Sequence, residues 1–195
     1  MFSERFIITN IILTSIALIL LAIAIFRKVA KDYQKLGKLS ITSTILEFVL
    51  FFLHGLSSYI FLEGNWSKIN YQNPLPLMGI ILLIFGIVLS LLSMSRLGFK
   101  KSLGQEVSTL QKNSFYKYTR NPQLVFYSMV IVGYALLWPS WIGAIWILLC
   151  FSIAGMMVRT EEKHLLDKFG KVYQIYCEKT PRYFRLPGSL KQNKI

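Results

Sequence analysis

The sequence predicts an all-α membrane protein with five transmembrane helices, the last two forming a helical hairpin that leads into a cytoplasmic helical region. Three observations predict it. Hydrophobic residues make up 54% of the 195 residues and charged residues only 16%, against about 25% in an ordinary soluble domain. The apolar residues are gathered into five long runs, 6–26, 41–62, 75–94, 124–138 and 141–158. The basic residues, which bring the net charge to +13, crowd into alternate connections between those runs.

A spanning helix needs about 20 mostly apolar residues to cross a hydrocarbon core of about 30 Å. The first three runs reach that length, and in lipid only a helix satisfies its own backbone over such a distance. The fourth run is short, covering roughly 22 Å at the helical rise. It must begin earlier, near Pro122, or stop short of the far surface. Trp138-Pro139-Ser140-Trp141 reads as a tight turn between runs four and five, with two indole rings suited to a membrane interface.

Charge sets the orientation. The first loop carries Arg27, Lys28, Lys31, Lys35 and Lys38, and the connection before run four carries Arg96, Lys100, Lys101, Lys112, Lys117 and Arg120. The tail carries Arg159, Lys163, Lys168, Lys171, Lys179, Arg182, Arg185, Lys191 and Lys194. The opposite connections hold only Arg5 and Lys68, offset by Glu4 and Glu63. Positive-inside bias then puts the N-terminus outside and the C-terminus in the cytoplasm, as five crossings require. Topology and attraction to anionic headgroups account for the basic excess, so it does not imply nucleic acid. No cleavable signal is evident at the N-terminus. Cys150 and Cys177 make no disulfide framework, and no metal site is expected.

Two segments are too patterned for plain connectors. Ser114–Gln123 places Asn121 as a helix N-cap and Pro122 at the first helical position. A helix start there would offer free N–H groups to an anion, beside Lys117, Arg120, Tyr116 and Tyr118; an interfacial cap with an aromatic belt is the plainer alternative. In the second segment run five continues out of the membrane as a helix through Arg159-Thr160-Glu161-Glu162 to Phe169, and Gly170 stops it. Leu165, Leu166 and Phe169 form an apolar face, and Tyr173 and Tyr176 follow three residues apart. Glu161 and Glu162 are either an acidic wall for a cationic ligand or carboxylates that orient Arg159; an exposed Arg159–Glu162 pair is the plainer account, worth about 0–1 kcal/mol. Within run two, Glu47 and His54 share one helical face. Charged groups at that depth face protein or water, either as a proton path or packed against polar neighbours such as Ser57 and Ser58.

Taken together, Tyr116, Arg120-Asn121-Pro122, the hairpin Leu124–Val158, Glu161-Glu162, Phe169-Gly170, Tyr173, Tyr176 and Pro181-Arg182 resemble the isoprenylcysteine carboxyl methyltransferase and phospholipid methyltransferase family. The likeness runs from Ser95 to Pro187. It departs at Ser114 and Asn121, where Gly and His are usual, and at Leu124 and Phe126, which replace Tyr and Gly and would narrow the pocket beside the hairpin. The resemblance implies one membrane domain over 1–195, with three spans in 1–94 and a catalytic half in 95–195 made of hairpin 122–158 and tail 159–195.

The resemblance further implies S-adenosylmethionine as cofactor, with S-adenosylhomocysteine as product. It implies cofactor contacts at Tyr116, Arg120, Asn121, Pro122, Glu161, Glu162, Tyr173 and Tyr176; the chemistry of carboxylate methylation makes Arg159, Glu162 and Arg120 the expected catalytic residues. Arg159 or Arg120 would hold an acceptor carboxylate. The acceptor expected first is a prenylated cysteine, and a phospholipid amine comes second; a reductase of similar C-terminal arrangement is a more distant relative. A small transporter or adaptor is the rival from another class.

Overall fold

The computed structural model describes residues 4–62, 69, 71–112 and 114–183. Glu63, Lys68, Arg185, Lys191, Lys194 and the side chain of Glu4, read above for charge, lie outside the described residues. The described chain is helical, with no strand among its elements: α1 Glu4–Leu36, α2 Ile41–Phe61, α3 Pro74–Leu97, a short α4 Phe99–Ser102, a 3-10 turn Ser114–Lys117, α5 Pro122–Leu137, α6 Trp141–Phe169 and α7 Lys171–Lys179. Helices α1, α2, α3 and α6 are long and apolar enough to cross a membrane. Helix α5 begins at Pro122, one of the two alternatives for the short fourth run, but its 16 residues reach only about 24 Å, so the fifth expected span stays shorter than the four spanning helices.

Two helices outrun their apolar stretches. Helix α1 continues to Leu36, so Arg27, Lys28, Lys31 and Lys35 stand on its last turns and not in a loop; Lys and Arg are good helix formers, and Gly37, at φ +65°, ends the helix. Helix α6 continues past Val158 to Phe169 and stops at Gly170, whose φ is +49°. Asp32 ties the turn between α1 and α2. It accepts from the Ser40 N–H at 3.1 Å and from the Ser40 hydroxyl, while Lys28 Nζ pairs with it at 3.5 Å and donates to Ser43 Oγ at 2.8 Å.

Small residues bring α3 and α5 together. A Cβ on Gly79 would stand 2.7 Å from the Gly133 carbonyl oxygen, and one on Gly86 would stand 2.8 Å from the Phe126 carbonyl oxygen. The partner number falls as the α3 number rises, so the two helices run antiparallel with their backbones in contact, the small-residue packing expected where both sides are equally apolar. Helix α6 buries Trp146, Leu149, Cys150, Ile153, Ala154 and Val158 at three- and four-residue spacing. Leu149 and Ile153 join Leu18, Ala22, Ile25, Phe26 and Val29 of α1 and Leu50 of α2 in the main core. Large apolar side chains such as Leu13, Leu20, Phe52, Leu91 and Leu148 stay exposed; on helices of this length they are the faces lipid covers.

His54 is completely buried in this core. Its ring nitrogens lie 3.2 Å from the Tyr127 hydroxyl and 3.1 Å from the Trp146 carbonyl oxygen, and its own carbonyl accepts from Ser57 and Ser58. The Trp146 indole N–H donates to Ser57 Oγ at 3.1 Å. His54 therefore clasps α2, α5 and α6, and Ser57 and Ser58 are neighbours as expected, though they bond its carbonyl and leave its ring to Tyr127 and Trp146. Consecutive long helices alternate in direction. That gathers the end of α1, the start of α2, the end of α3, the start of α5 and the end of α6 at one basic end of the bundle.

Candidate active site

At that end the chain returning from α3 is laid against the α1–α2 turn. The Leu39 N–H donates to the Gly104 carbonyl at 2.9 Å, and Thr44 Oγ1 donates to the Leu103 carbonyl at 3.4 Å. The return continues into the 3-10 turn, whose first residue, Ser114, sits at φ +57°. This is left-handed backbone, which glycine adopts without cost, and it is the position where the resembled family carries Gly. Phe115 packs edge-on against Phe126 with ring centres 5.2 Å apart, which turns Phe126 toward that ring; Leu124 instead lines the cavity described below.

The start of α5 is held by the far end of the chain. The Arg120 N–H donates to the Pro181 carbonyl at 3.0 Å; Thr119 Oγ1 and Asn121 Nδ2 both donate to the Arg182 carbonyl, at 3.1 and 3.0 Å. Asn121 was expected to cap the helix. Its side chain is committed to Arg182 instead and makes no cap bond, which leaves the first-turn N–H groups of α5 without a side-chain acceptor. Pro122 does occupy the first turn.

Glu162 closes the arrangement. Its carboxylate pairs with Arg120 Nη1 at 3.1 Å, accepts from Arg182 Nε at 3.1 Å, and pairs with Arg182 Nη2. The Glu162 and Arg120 side chains are only 14% and 13% exposed, whereas Arg182 is 45% exposed; the inner pair is the shielded one. The hydrogen bond to Glu162 raises the pKa of the Arg182 guanidinium. Arg120 also points Nη1 at Cys177 Sγ, 2.6 Å away. Tyr176 donates its hydroxyl to the Tyr116 carbonyl at 2.7 Å, and Tyr173 lies beside it with ring centres 6.1 Å apart. Burial pushes the hydroxyls of Tyr116, Tyr173 and Tyr176 well above the usual tyrosine range, so they remain neutral donors.

These groups line a single cavity. Of the residues singled out in the sequence, Tyr116, Arg120, Asn121, Pro122, Glu161, Glu162, Tyr173 and Tyr176 all face it. Arg159 does not. It is exposed and lines a separate cleft between α1 and α6. The expected Arg159–Glu162 partnership is absent because Glu162 is already bound on both oxygens by Arg120 and Arg182, which reach it from outside its helix. The apolar face expected of Leu165, Leu166 and Phe169 is divided: Leu165 lines the cavity while Leu166 is 40% exposed.

The cavity also holds residues beyond the expected cofactor contacts, among them His164, which the sequence offered beside Glu161 and Glu162 as a base for an amine acceptor. Tyr33 of α1 and Glu47 of α2 line it, as does Gln123. Glu47 had one visible signal, a carboxylate set in an apolar run; Tyr33 and Gln123 had none. Glu47 lies within electrostatic reach of Glu161, and neither carboxylate forms a hydrogen bond or ion pair with a described residue. Arg120 Nε and Gln123 Nε2, in the same cavity, are buried donors without a partner among the described residues.

The family model described as phospholipid methyltransferase matches residues 75–172, half of the chain, from the start of α3 into α7. The chain belongs to the phospholipid methyltransferase family. It is accordingly a membrane methyltransferase that acts on lipid. No curated protein and no solved structure matches it. In this methyltransferase the matched stretch contains Arg120, Asn121, Glu161 and Glu162, while Tyr33, Glu47, Tyr173 and Tyr176 are brought to the cavity from outside it and Arg182 reaches Glu162 from the C-terminal side.

Proposed function

We propose that the methyltransferase takes its methyl group from S-adenosylmethionine and transfers it to the amino group of a phospholipid headgroup, at the basic, cytoplasm-facing end of the bundle. The observation that carries this reading is the pair Glu47 and Glu161: two carboxyl groups in one cavity, neither of them paired with a cation among the described residues, where Lys101 is engaged by Glu106 and Arg120 by Glu162. Burial, with the Glu162 charge beside it, raises the Glu161 carboxyl to about 7, and an ammonium ion entering from the membrane would favour its ionised form.

The residues present fit the cofactor. The first turn of α5, with no side-chain cap, and the buried donors Arg120 Nε and Gln123 Nε2 suit its carboxylate. Tyr116, Tyr173 and Tyr176 supply neutral hydroxyls and ring faces around the remainder. When bound, S-adenosylmethionine supplies an electrophilic methyl group on a sulfonium.

The protein's own residues do the rest. An amine with a reference pKa near 10 arrives protonated and needs its lone pair free to attack. Glu161 would take the proton from the ammonium nitrogen and Glu47 would hold the headgroup beside it, so that the amine lone pair forms the N–C bond as the donor's S–C bond breaks and S-adenosylhomocysteine leaves as the neutral thioether. Arg120, fixed by Glu162, keeps the start of α5 at the cavity. Positioning of this kind can supply roughly 7–11 kcal/mol. The proposed acceptor is a membrane lipid, and neither metal nor nucleic acid has a part in the reaction.

Carboxyl methylation of a prenylcysteine, the acceptor expected first from the sequence, would need a free cation beside the donor. Arg159 stands outside the cavity, and Arg120 is engaged by Glu162 and assigned to the cofactor's carboxylate. The deciding experiment supplies the purified full chain in lipid nanodiscs with methyl-labelled S-adenosylmethionine and either phosphatidylethanolamine or a farnesylcysteine analogue. Label is expected in the phospholipid. Label confined to the farnesylcysteine analogue would overturn the amine reading.

A further inference from the structure

The second cleft has no part in the chemistry just described. It lies where α1 and α6 separate at the basic end and encloses about 700 Å³, within the range of pockets that take small ligands. Its outer wall is Arg159, Lys163 and Lys168 of α6, with Asp167 as the one carboxylate lining it. Arg159 and Lys163 are exposed and are four residues apart, so their side chains project from one helical face about 5–6 Å apart at the Cβ atoms. Neither makes a hydrogen bond or ion pair with a described residue. Lys168 Nζ approaches the Gly37 carbonyl at 3.5 Å, closing the far end.

Depth and adjacency indicate what would enter. Arg159 follows directly on the apolar run that ends at Val158, so the cleft begins where hydrocarbon gives way to headgroups. Its inner wall is Tyr33 and His164, stacked with ring centres 4.1 Å apart and planes 7° from parallel. Both rings also line the cavity that holds Glu47 and Glu161, and His164 Nε2 is buried without a hydrogen-bond partner among the described residues. Cleft and cavity are thus neighbours across one pair of rings.

We infer that the Arg159–Lys163 cleft between α1 and α6 binds the phosphodiester of the acceptor phospholipid, so that its amino group reaches past Tyr33 and His164 to the carboxylates. This rests on the amine-acceptor reading. Arg159 offers a fork of N–H donors and Lys163 a mobile charge, the two side chains best matched to phosphate oxygens. The lipid chains then lie along the α1–α6 seam and never leave the membrane.

The test uses the full chain with Arg159→Gln and Lys163→Gln combined; both residues are exposed, so the fold is kept. Methyl transfer is compared between phosphatidylethanolamine and a phosphate-free long-chain amine in phosphatidylcholine nanodiscs. The preference for the phospholipid, as a ratio of kcat/KM values, is expected to fall by at least about tenfold, since the loss of even one of the two charge-assisted contacts is worth that much. An unchanged ratio overturns the site. Loss only of activation by added phosphatidylglycerol, with the ratio intact, assigns the cleft to bulk lipid and also overturns it. Retention of phosphatidylethanolamine, read by native mass spectrometry, separates the two proposals. Weaker retention by the variant in a protein that methylates no amine supports the phosphate site and defeats the acceptor reading. Equal retention defeats the site whatever the turnover.

Discussion

Glu162 and Arg120 meet at 3.1 Å across the gap between α6 and the start of α5, each with less than a sixth of its side chain exposed. The pair joins the two family-matched segments, and Arg182 closes over it from the C-terminal side. Glu162→Gln would leave the Arg120 guanidinium shielded without an anion, a loss of about 2–3 kcal/mol for a shielded charged contact. Arg182→Gln removes an exposed partner and should cost less than about 1 kcal/mol. Thermal unfolding in detergent is expected to show the larger fall for Glu162→Gln, together with weaker calorimetric binding of S-adenosylhomocysteine. Equal shifts for the two variants would remove the inner pair from its structural role.

Glu161→Gln keeps the size of the side chain and deletes its basicity. Loss of a general base costs roughly 10²–10⁴-fold in rate, so turnover on phosphatidylethanolamine should drop by at least about 10²-fold. Glu47→Gln should act chiefly on KM for the acceptor, because Glu47 holds the headgroup. Steady-state kinetics with varied acceptor separates these effects, and near-normal turnover in Glu161→Gln would end its assignment as the base.

The α3–α5 seam makes a sharper demand on side-chain size. Gly133→Ala would put a methyl group 2.6 Å from the Gly79 carbonyl oxygen and 2.7 Å from the Leu83 nitrogen. Backbone on both sides cannot yield as a flexible side chain would, and overpacking of this kind costs about 1–3 kcal/mol. Gly55→Ala on α2 meets nothing within 4 Å and should hold or gain stability, since alanine is the better helix former. Melting temperatures that ranked the two variants the other way would contradict the close packing of α3 on α5.

Ser114 holds left-handed backbone with a side chain that disfavours it. Ser114→Gly relieves that cost, about 1–2 kcal/mol, less the weak bond from Arg96 Nη1 at 3.4 Å. A higher melting temperature is expected, and a lower one would show that the Arg96 contact outweighs the strain.

His54 distinguishes an enzyme from a transporter. Its ring is fully engaged by Tyr127 and the Trp146 carbonyl, which makes it a clasp between helices. His54→Leu is expected to lower the melting temperature by breaking both bonds while leaving S-adenosylhomocysteine affinity intact. If reconstituted protein carried protons across vesicles and lost that flux in His54→Leu, the polar cluster would be a path and not a clasp.

The helical elements and the basic end could be read from the chain because both are local properties. Run length against bilayer thickness marks a spanning helix, and Pro122 and Gly170 punctuate the helix ends through their own backbone preferences. The residues of the cavity were legible where they formed a familiar spacing, as with Arg120-Asn121-Pro122 and Glu161-Glu162. Their partners were not. Asn121 had the chemistry of a cap, yet its amide went to the Arg182 carbonyl. Arg159 stood one turn from Glu162, yet the carboxylate was taken by Arg120 and Arg182.

By itself, then, the sequence determined that this chain is a bundle of apolar helices with a polar, basic end, since hydropathy and charge need no knowledge of neighbours in space. Only the tertiary structure decided that Glu47 of the second helix faces Glu161 of the sixth, and that Tyr33 and His164 stand between cleft and cavity. Such meetings depend on which helices pack side by side and in which direction. Spacing within one segment cannot specify contacts between residues that lie more than a hundred positions apart.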